Sequence, residues 1–293
     1  MNNLLYTIAF DEPGCGGYRS MAKICVSSLL RTFFSGDIVV FRNTAAPLFL
    51  VERKGLEEIF VKTPDIQGPV AREYTQRWKF QARRYIDAAA YEKIIYLDCD
   101  SIALRDVDGL FEGEDWEIRH AADAGKTVSE VNEAGGAWFH EEEVAAFPGR
   151  PSSNPWLFAI NGPCFDPVME EWERWDAQVP VGATVRRDIA VWNRLLANVD
   201  EFPHWCSPGA PGGTGSERAA ILPRCQAFPG AEVLELASPG LNYQTYSQAA
   251  LLHCGGGPDG PFDVEERIRF LFGMWMRTFH CDATAQLLHM LEN

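Results

Sequence analysis

Residues 92–111 read EKIIYLDCDSIALRDVDGLF. A short apolar run, Ile94 to Leu97, ends in two aspartates, Asp98 and Asp100, separated by one cysteine. The run predicts a buried strand over 93–98. Residues two apart on a regular strand share a face. Asp98 and Asp100 can therefore face one ion, and the strand is expected to end near Asp98, where the chain turns. The following SIALRDVDGLF fits a turn and then a short extended piece. Two close carboxylates repel, which raises one pKa unless a cation balances them. Oxygen ligands suit magnesium or manganese, and an added imidazole favours manganese. The plainer alternative is that the two aspartates cap a turn and bind nothing, since Asp is common in turns.

Working outward, LLYTIAF (4–10) reads as a buried strand followed by the turn-rich DEPGCGG, and 18–34 as a helix in which Met21, Ile24, Cys25, Ser28, Leu29 and Phe33 follow helical spacing. DIVVFR (37–42) and EEIFVK (57–62) read as strands, and 73–91 as a second helix. Strands alternating with helices imply βαβ units and a mostly parallel sheet, with ligands at the carboxyl ends of its strands. Beyond residue 116 the pattern is less regular. Strands are expected within 116–123 and 156–167, and helices over 168–178, 186–198 and 263–279. The sequences AEVLELA and QAALLHC are expected to form late short strands. The glycine-rich 207–218 lacks a Gly-Lys-Ser/Thr ending and is no P-loop. This organisation predicts an α/β domain over 1–262 with a C-terminal helical extension, 263–293, packed on it.

Of the 293 residues, 46% are hydrophobic, enough for a sizeable core, and the formal net charge is -15. That balance argues against nucleic acid and anionic lipid as partners. It leaves room for an anionic small substrate where a bound cation reverses the local field. No apolar run reaches the length of a membrane span, and the N-terminus lacks the basic region of a signal peptide. The eight cysteines include no CxxC pair, so a cytoplasmic protein with reduced thiols is expected.

The segment YEKIIYLDCDSIALRDVDGLF resembles the metal-binding segment of the GT-A glycosyltransferases, closest to the glycogenin and galactinol-synthase group (retaining family 8). In that group a strand is followed by Asp-x-Asp and an Asp-x-Leu-Phe tail. The resemblance implies a GT-A (Rossmann-like) mixed, mostly parallel sheet flanked by helices. It covers most of the chain in the same order, with this segment its specific part. The start is similar to the strand and helix that hold the nucleotide base, which would set Thr7, Ala9 and Asp11 around a uridine and make Tyr18 a base-stacking ring. QRWKFQARRY resembles the helix whose basic residue faces the donor. Lys79 matches that place, while helix phase leaves Arg83 and Arg84 open. FAINGPCFDP resembles the strand lining the sugar pocket, matched by Asn161 and Gly162. RRDIAVWNRLL is similar to the helix whose aspartate, here Asp188, contacts the transferred sugar. LLHCGGG resembles the late His-x-x-Gly segment, which would make His253 the third metal ligand beside Asp98 and Asp100 and put Gly256 at the donor.

Two positions depart from the family pattern. Gly260 stands where the family has a diphosphate-binding lysine, so that charge must be met elsewhere. Ile189 stands where it has a glutamine under the anomeric carbon, so same-face attack within an ion pair is the mechanism that fits. The resemblance implies transfer of a sugar, with retention, from a nucleotide-diphosphate sugar such as a UDP-sugar to an acceptor hydroxyl, assisted by Mn²⁺ or Mg²⁺. Two other readings stand beside it. One is a haloacid-dehalogenase-type phosphatase with Asp98 as nucleophile and Asp100 as acid/base; three strands precede this motif, whereas such motifs normally open the domain. The other is a nucleotide-sugar-binding module that has lost turnover.

Overall fold

The apolar segments at the start of the chain fold as the alternation predicts. In the computed structural model, which describes residues 2–11, 17–49, 53–64, 69–113, 116–130, 151–180, 187–199, 225–230, 232–236, 249–255 and 263–279, the first elements are β1 (Asn3–Ala9), α1 (Gly17–Arg31), β2 (Asp37–Arg42) and β3 (Leu56–Phe60). After them come α2 (Pro69–Gln81), β4 (Lys93–Leu97), β5 (Ser101–Ala103), β6 (Ile118–Thr127) and β7 (Pro151–Asn161). The remaining elements are α3 (Gly162–Asp176), α4 (Arg187–Val199), β8 (Cys225–Ala227), β9 (Val233–Glu235), β10 (Leu251–His253) and α5 (Val264–Phe279). Seven strands form a mixed, mostly parallel sheet in the order β3-β2-β1-β4-β7-β6-β8, flanked by helices, and β5-β10-β9 form a second, small sheet. No helix among the described residues is long and apolar enough to cross a membrane.

The chain divides into two compact units interleaved along the sequence: residues 1–3, 66–96 and 113–228, and residues 4–65, 97–112 and 229–293. In the second of these, β1 pairs in parallel with β2, Leu4 opposite Asp37 through Ala9 opposite Arg42, and β2 pairs in parallel with β3. Every residue of β1 is buried, as a strand covered on both faces requires. Helix α1 is tied to the small sheet by a buried serine. Ser28 Oγ donates to the Cys25 carbonyl at 2.6 Å and accepts the Ala103 N–H at 2.9 Å. At its start α1 meets α5 closely: a Cβ at Gly17 would lie 1.9 Å from Val264 Cγ1. Only a glycine permits that approach.

In the other unit β6 pairs antiparallel with β7 and parallel with β8, which makes the sheet mixed. A cluster of buried rings fills the space against the helices. Phe158 stacks on Tyr96 at 5.1 Å and lies 4.9 Å from Trp192, which lies 4.7 Å from Trp172. Several boundaries differ from the sequence reading: β6 runs on to Thr127, and β7 begins at Pro151 and ends at Asn161. The helix expected over 73–91 ends at Gln81 and gives way to short 3-10 turns at Ala82–Arg84 and Ala88–Ala90. There the Asp87 side chain accepts the Ala89 N–H and offers the backbone an alternative to the helix. The helix expected from 168 begins at Gly162, with Pro163 in its first turn, where a missing N–H carries no penalty.

Candidate metal centre

The two aspartates occupy the short link between β4 and β5. The chain turns there, and β5 then pairs antiparallel with β10, setting Ser101 opposite His253. The Cys254 N–H donates to the Asp100 carbonyl at 2.9 Å, which closes the link. This register draws Asp98, Asp100 and His253 together, each with one ligand atom within 4.8 Å of the others. His253 Nε2 lies 3.2 Å from Asp100 Oδ1 and 3.8 Å from Asp98 Oδ2. Asp100 and His253 are buried, while the Asp98 side chain is 25% exposed. Two carboxylate oxygens and one imidazole nitrogen at these separations suit a divalent transition ion.

Two residues complete the group, and neither was singled out in the sequence. Arg267, on the first turn of α5, donates from Nη1 to Asp100 Oδ2 at 2.7 Å, and its guanidinium lies over the Tyr18 ring at 5.6 Å. The signal was present: Arg267, Leu271, Met274 and Trp275 share the buried face of α5, where an arginine needs a partner. Glu235, opposite His253 across the parallel β9–β10 pair, brings Oε1 to 3.6 Å from His253 Nδ1. A carboxylate on that nitrogen directs Nε2 toward a bound ion. Gly255 leaves room for this pairing, since a Cβ there would lie 2.9 Å from Glu235 Oε1 and 3.2 Å from His253 Cε1. Gly255→Ala is expected to weaken Mn²⁺ binding by about 10-fold, within the range for disturbed outer-sphere partners, as read by isothermal titration calorimetry.

Burial alone would raise the Asp100 carboxyl, but His253 and Arg267 outweigh it and hold the group well below the usual carboxylate range. For His253, burial pushes the imidazole down, while Asp100 and then Glu235 outweigh it and lift it to about 10. Without an ion, an imidazolium therefore stands between the carboxylates. Its stabilising effect is full below the ordinary imidazole value of 6.5 and is lost as pH rises through about 10. The Asp100 effect is present above its ordinary 3.8 and is lost as pH falls below it. In chelator-treated protein, the melting-temperature gap between wild type and His253→Gln is expected to be widest between the two ordinary values, 3.8 and 6.5. It should close as pH approaches 10. Burial raises the Cys99 thiol well above its ordinary value, with Asp100 and Asp98 adding to it, and pushes Cys254 up to about 12. Among the described residues, neither belongs to the group of ligand atoms that converges at this centre.

Most of the other residues singled out in the sequence lie among the described residues. Thr7 and Ala9 are buried in β1, and Thr7 Oγ1 has no hydrogen-bond partner among the described residues. Asp11 caps α1, with Oδ1 accepting the Arg19 N–H at 3.1 Å, and is held in place by Asn43. Tyr18 joins the metal centre through Arg267. In the other unit, Lys79 Nζ bonds Asp188 Oδ2 at 2.8 Å and the Pro155 carbonyl at 3.1 Å, and lies over the Tyr96 ring at 5.1 Å. Arg83 and Arg84 instead pair with Glu170 and Glu173 on α3. Asn161 donates to the Trp116 carbonyl at 3.0 Å and accepts from Lys93. Gly162 donates to the Glu92 carbonyl at 2.8 Å, and a Cβ there would lie 2.0 Å from the Tyr91 carbonyl oxygen. Gly256, and with it Gly260, lie outside the described residues. No protein-family model matches the sequence, and no curated protein matches it.

Proposed function

We propose that this protein transfers a sugar, with retention, from a nucleotide-diphosphate sugar of the UDP class to an acceptor hydroxyl, in a reaction that depends on a divalent cation. The observation that carries the proposal is the convergence of Asp98, Asp100 and His253, from distant parts of the sequence, on one small volume. The GT-A resemblance supplies the reaction class. Asp98, Asp100 and His253 would hold the ion, Mn²⁺ by preference over Mg²⁺ because one ligand is imidazole. When bound, such an ion stabilises the charge that builds on a departing diphosphate. Arg267 adds a fixed positive charge beside Asp100, and Tyr18 is held next to it. Lys79 and Asp188, bonded to each other beside Pro155, are proposed to hold the donor sugar by hydrogen bonds; Asn161 stands at the far end of β7, beside Lys93 at the start of β4, and is not part of that group.

A second reading is favoured by one observation. Lys79, Asn161 and Asp188 are all engaged in internal bonds, as they would be in a module that binds nucleotide sugar without turning it over. Calorimetry with UDP in the presence of Mn²⁺, followed by an assay for slow hydrolysis of UDP-sugars, separates the readings. Binding with hydrolysis supports the transferase, and binding with no donor consumed supports the module. Absence of Mn²⁺-dependent UDP binding removes both. Burst release of phosphate from a phosphomonoester would point instead to the phosphatase.

A further inference from the structure

We propose that Arg267 selects the ion: by covering one oxygen of Asp100 it makes that carboxylate a one-oxygen ligand and turns the centre against calcium in favour of manganese. The inference rests on the reading of Asp98, Asp100 and His253 as a metal centre.

The two oxygens of Asp100 have different neighbours. Oδ1 lies 3.2 Å from His253 Nε2, on the side where the three ligand atoms converge. Oδ2 lies 2.7 Å from Arg267 Nη1. The guanidinium cannot easily move away. Its side chain is 5% exposed, and it lies over the Tyr18 ring. The helix that carries it is seated at its first turn, where Val264 meets the bare Cα of Gly17 and the Arg267 N–H donates to the Asp263 carbonyl at 3.0 Å.

Calcium is a large, hard ion that takes about six to eight oxygens and uses carboxylates in two-oxygen fashion to reach that number. With Oδ2 held by an arginine, Asp100 cannot serve in that way. His253 then contributes a nitrogen, which suits a transition ion better than calcium. The guanidinium also cancels one carboxylate charge, and calcium binding scales with ligand charge. A smaller six-coordinate ion loses little, because it needs one oxygen from each aspartate and fills its other positions from water or substrate.

The test is the ratio of calcium to manganese dissociation constants, measured by calorimetry on the full chain with each ion alone. The wild type is expected to prefer manganese strongly. In Arg267→Met the preference is expected to fall by about 10-fold or more, the scale set by outer-sphere changes at metal sites, mainly through tighter calcium binding. Arg267→Lys, which keeps a donor for Oδ2, is expected to preserve the wild-type preference. Tyr18→Leu removes the ring beneath the guanidinium without leaving a buried carboxylate unpaired, so it should shift the ratio in the same direction by less. It serves as the decisive variant if Arg267→Met does not fold. An unchanged ratio in the folded, ion-binding variant overturns this inference alone. A wild type that takes up neither ion overturns the metal reading, and the inference with it.

Discussion

Asp100→Ala is expected to abolish Mn²⁺ binding and to lower folding stability by about 3–5 kcal/mol, the penalty for leaving one member of a buried ion pair without its partner. Asp98→Ala is expected to impair ion binding severely at little cost in stability. The contrast comes from their surroundings. Asp98 is 25% exposed at its side chain. Asp100 is buried and carries both Arg267 at 2.7 Å and His253 at 3.2 Å. Removing Asp100 strands an arginine that burial would otherwise exclude. Asp100→Asn keeps the shape and a carbonyl oxygen for Arg267 while losing the charge, so it should fold well and still lose ion affinity. Urea melts and calorimetry on the three variants read the two effects separately. If Asp100→Asn retains wild-type Mn²⁺ affinity, Asp100 is only the counter-ion of Arg267 and the metal assignment falls.

The sequence made the metal centre legible in part. β4 could be read from its unbroken apolar run, but the spacing of Asp98 and Asp100 does not itself dictate the turn after Leu97, since residues two apart on a strand already share a face. His253 was placed at the site by resemblance rather than by physics. What brings it there is the pairing of β5 with β10, two three-residue strands too short to show a period. Register between such distant segments is a tertiary fact that no local pattern encodes. Arg267 and Glu235 went unseen for a related reason. In a helix beginning VEERIR, one more charged residue reads as solvated surface unless its phase against Leu271 and Trp275 is weighed. The early α/β alternation was legible because β1, β2 and β4 each carry a continuous apolar run. The end of α2 at Gln81 was not, because QARRYIDAAAY has good helical propensity, and only a side-chain bond from Asp87 and ion pairs to α3 favour the tighter turns.

Lys79→Met is expected to destabilise the protein by about 3–5 kcal/mol, because Asp188 is then left buried without its cation, whereas the double variant Lys79→Met/Asp188→Leu is expected to regain most of that loss. Both residues are almost fully buried, and Lys79 bonds Asp188 and the Pro155 carbonyl. Replacing such a pair by apolar groups of similar size is often neutral, while breaking it on one side is not. Urea denaturation of the wild type, both single variants and the double variant gives the coupling directly. The same four proteins test function. If Asp188 holds the donor sugar, the double variant folds but loses turnover of a UDP-sugar while still binding UDP with Mn²⁺, since the ion's ligands are untouched. If the pair serves only the fold, the double variant keeps both stability and turnover, and Asp188 drops out of the proposed donor site. Asp188→Asn sharpens the choice. It retains a hydrogen-bonding oxygen for Lys79 and removes only the negative charge, so a loss of turnover larger than its loss of stability marks a group that acts on the substrate.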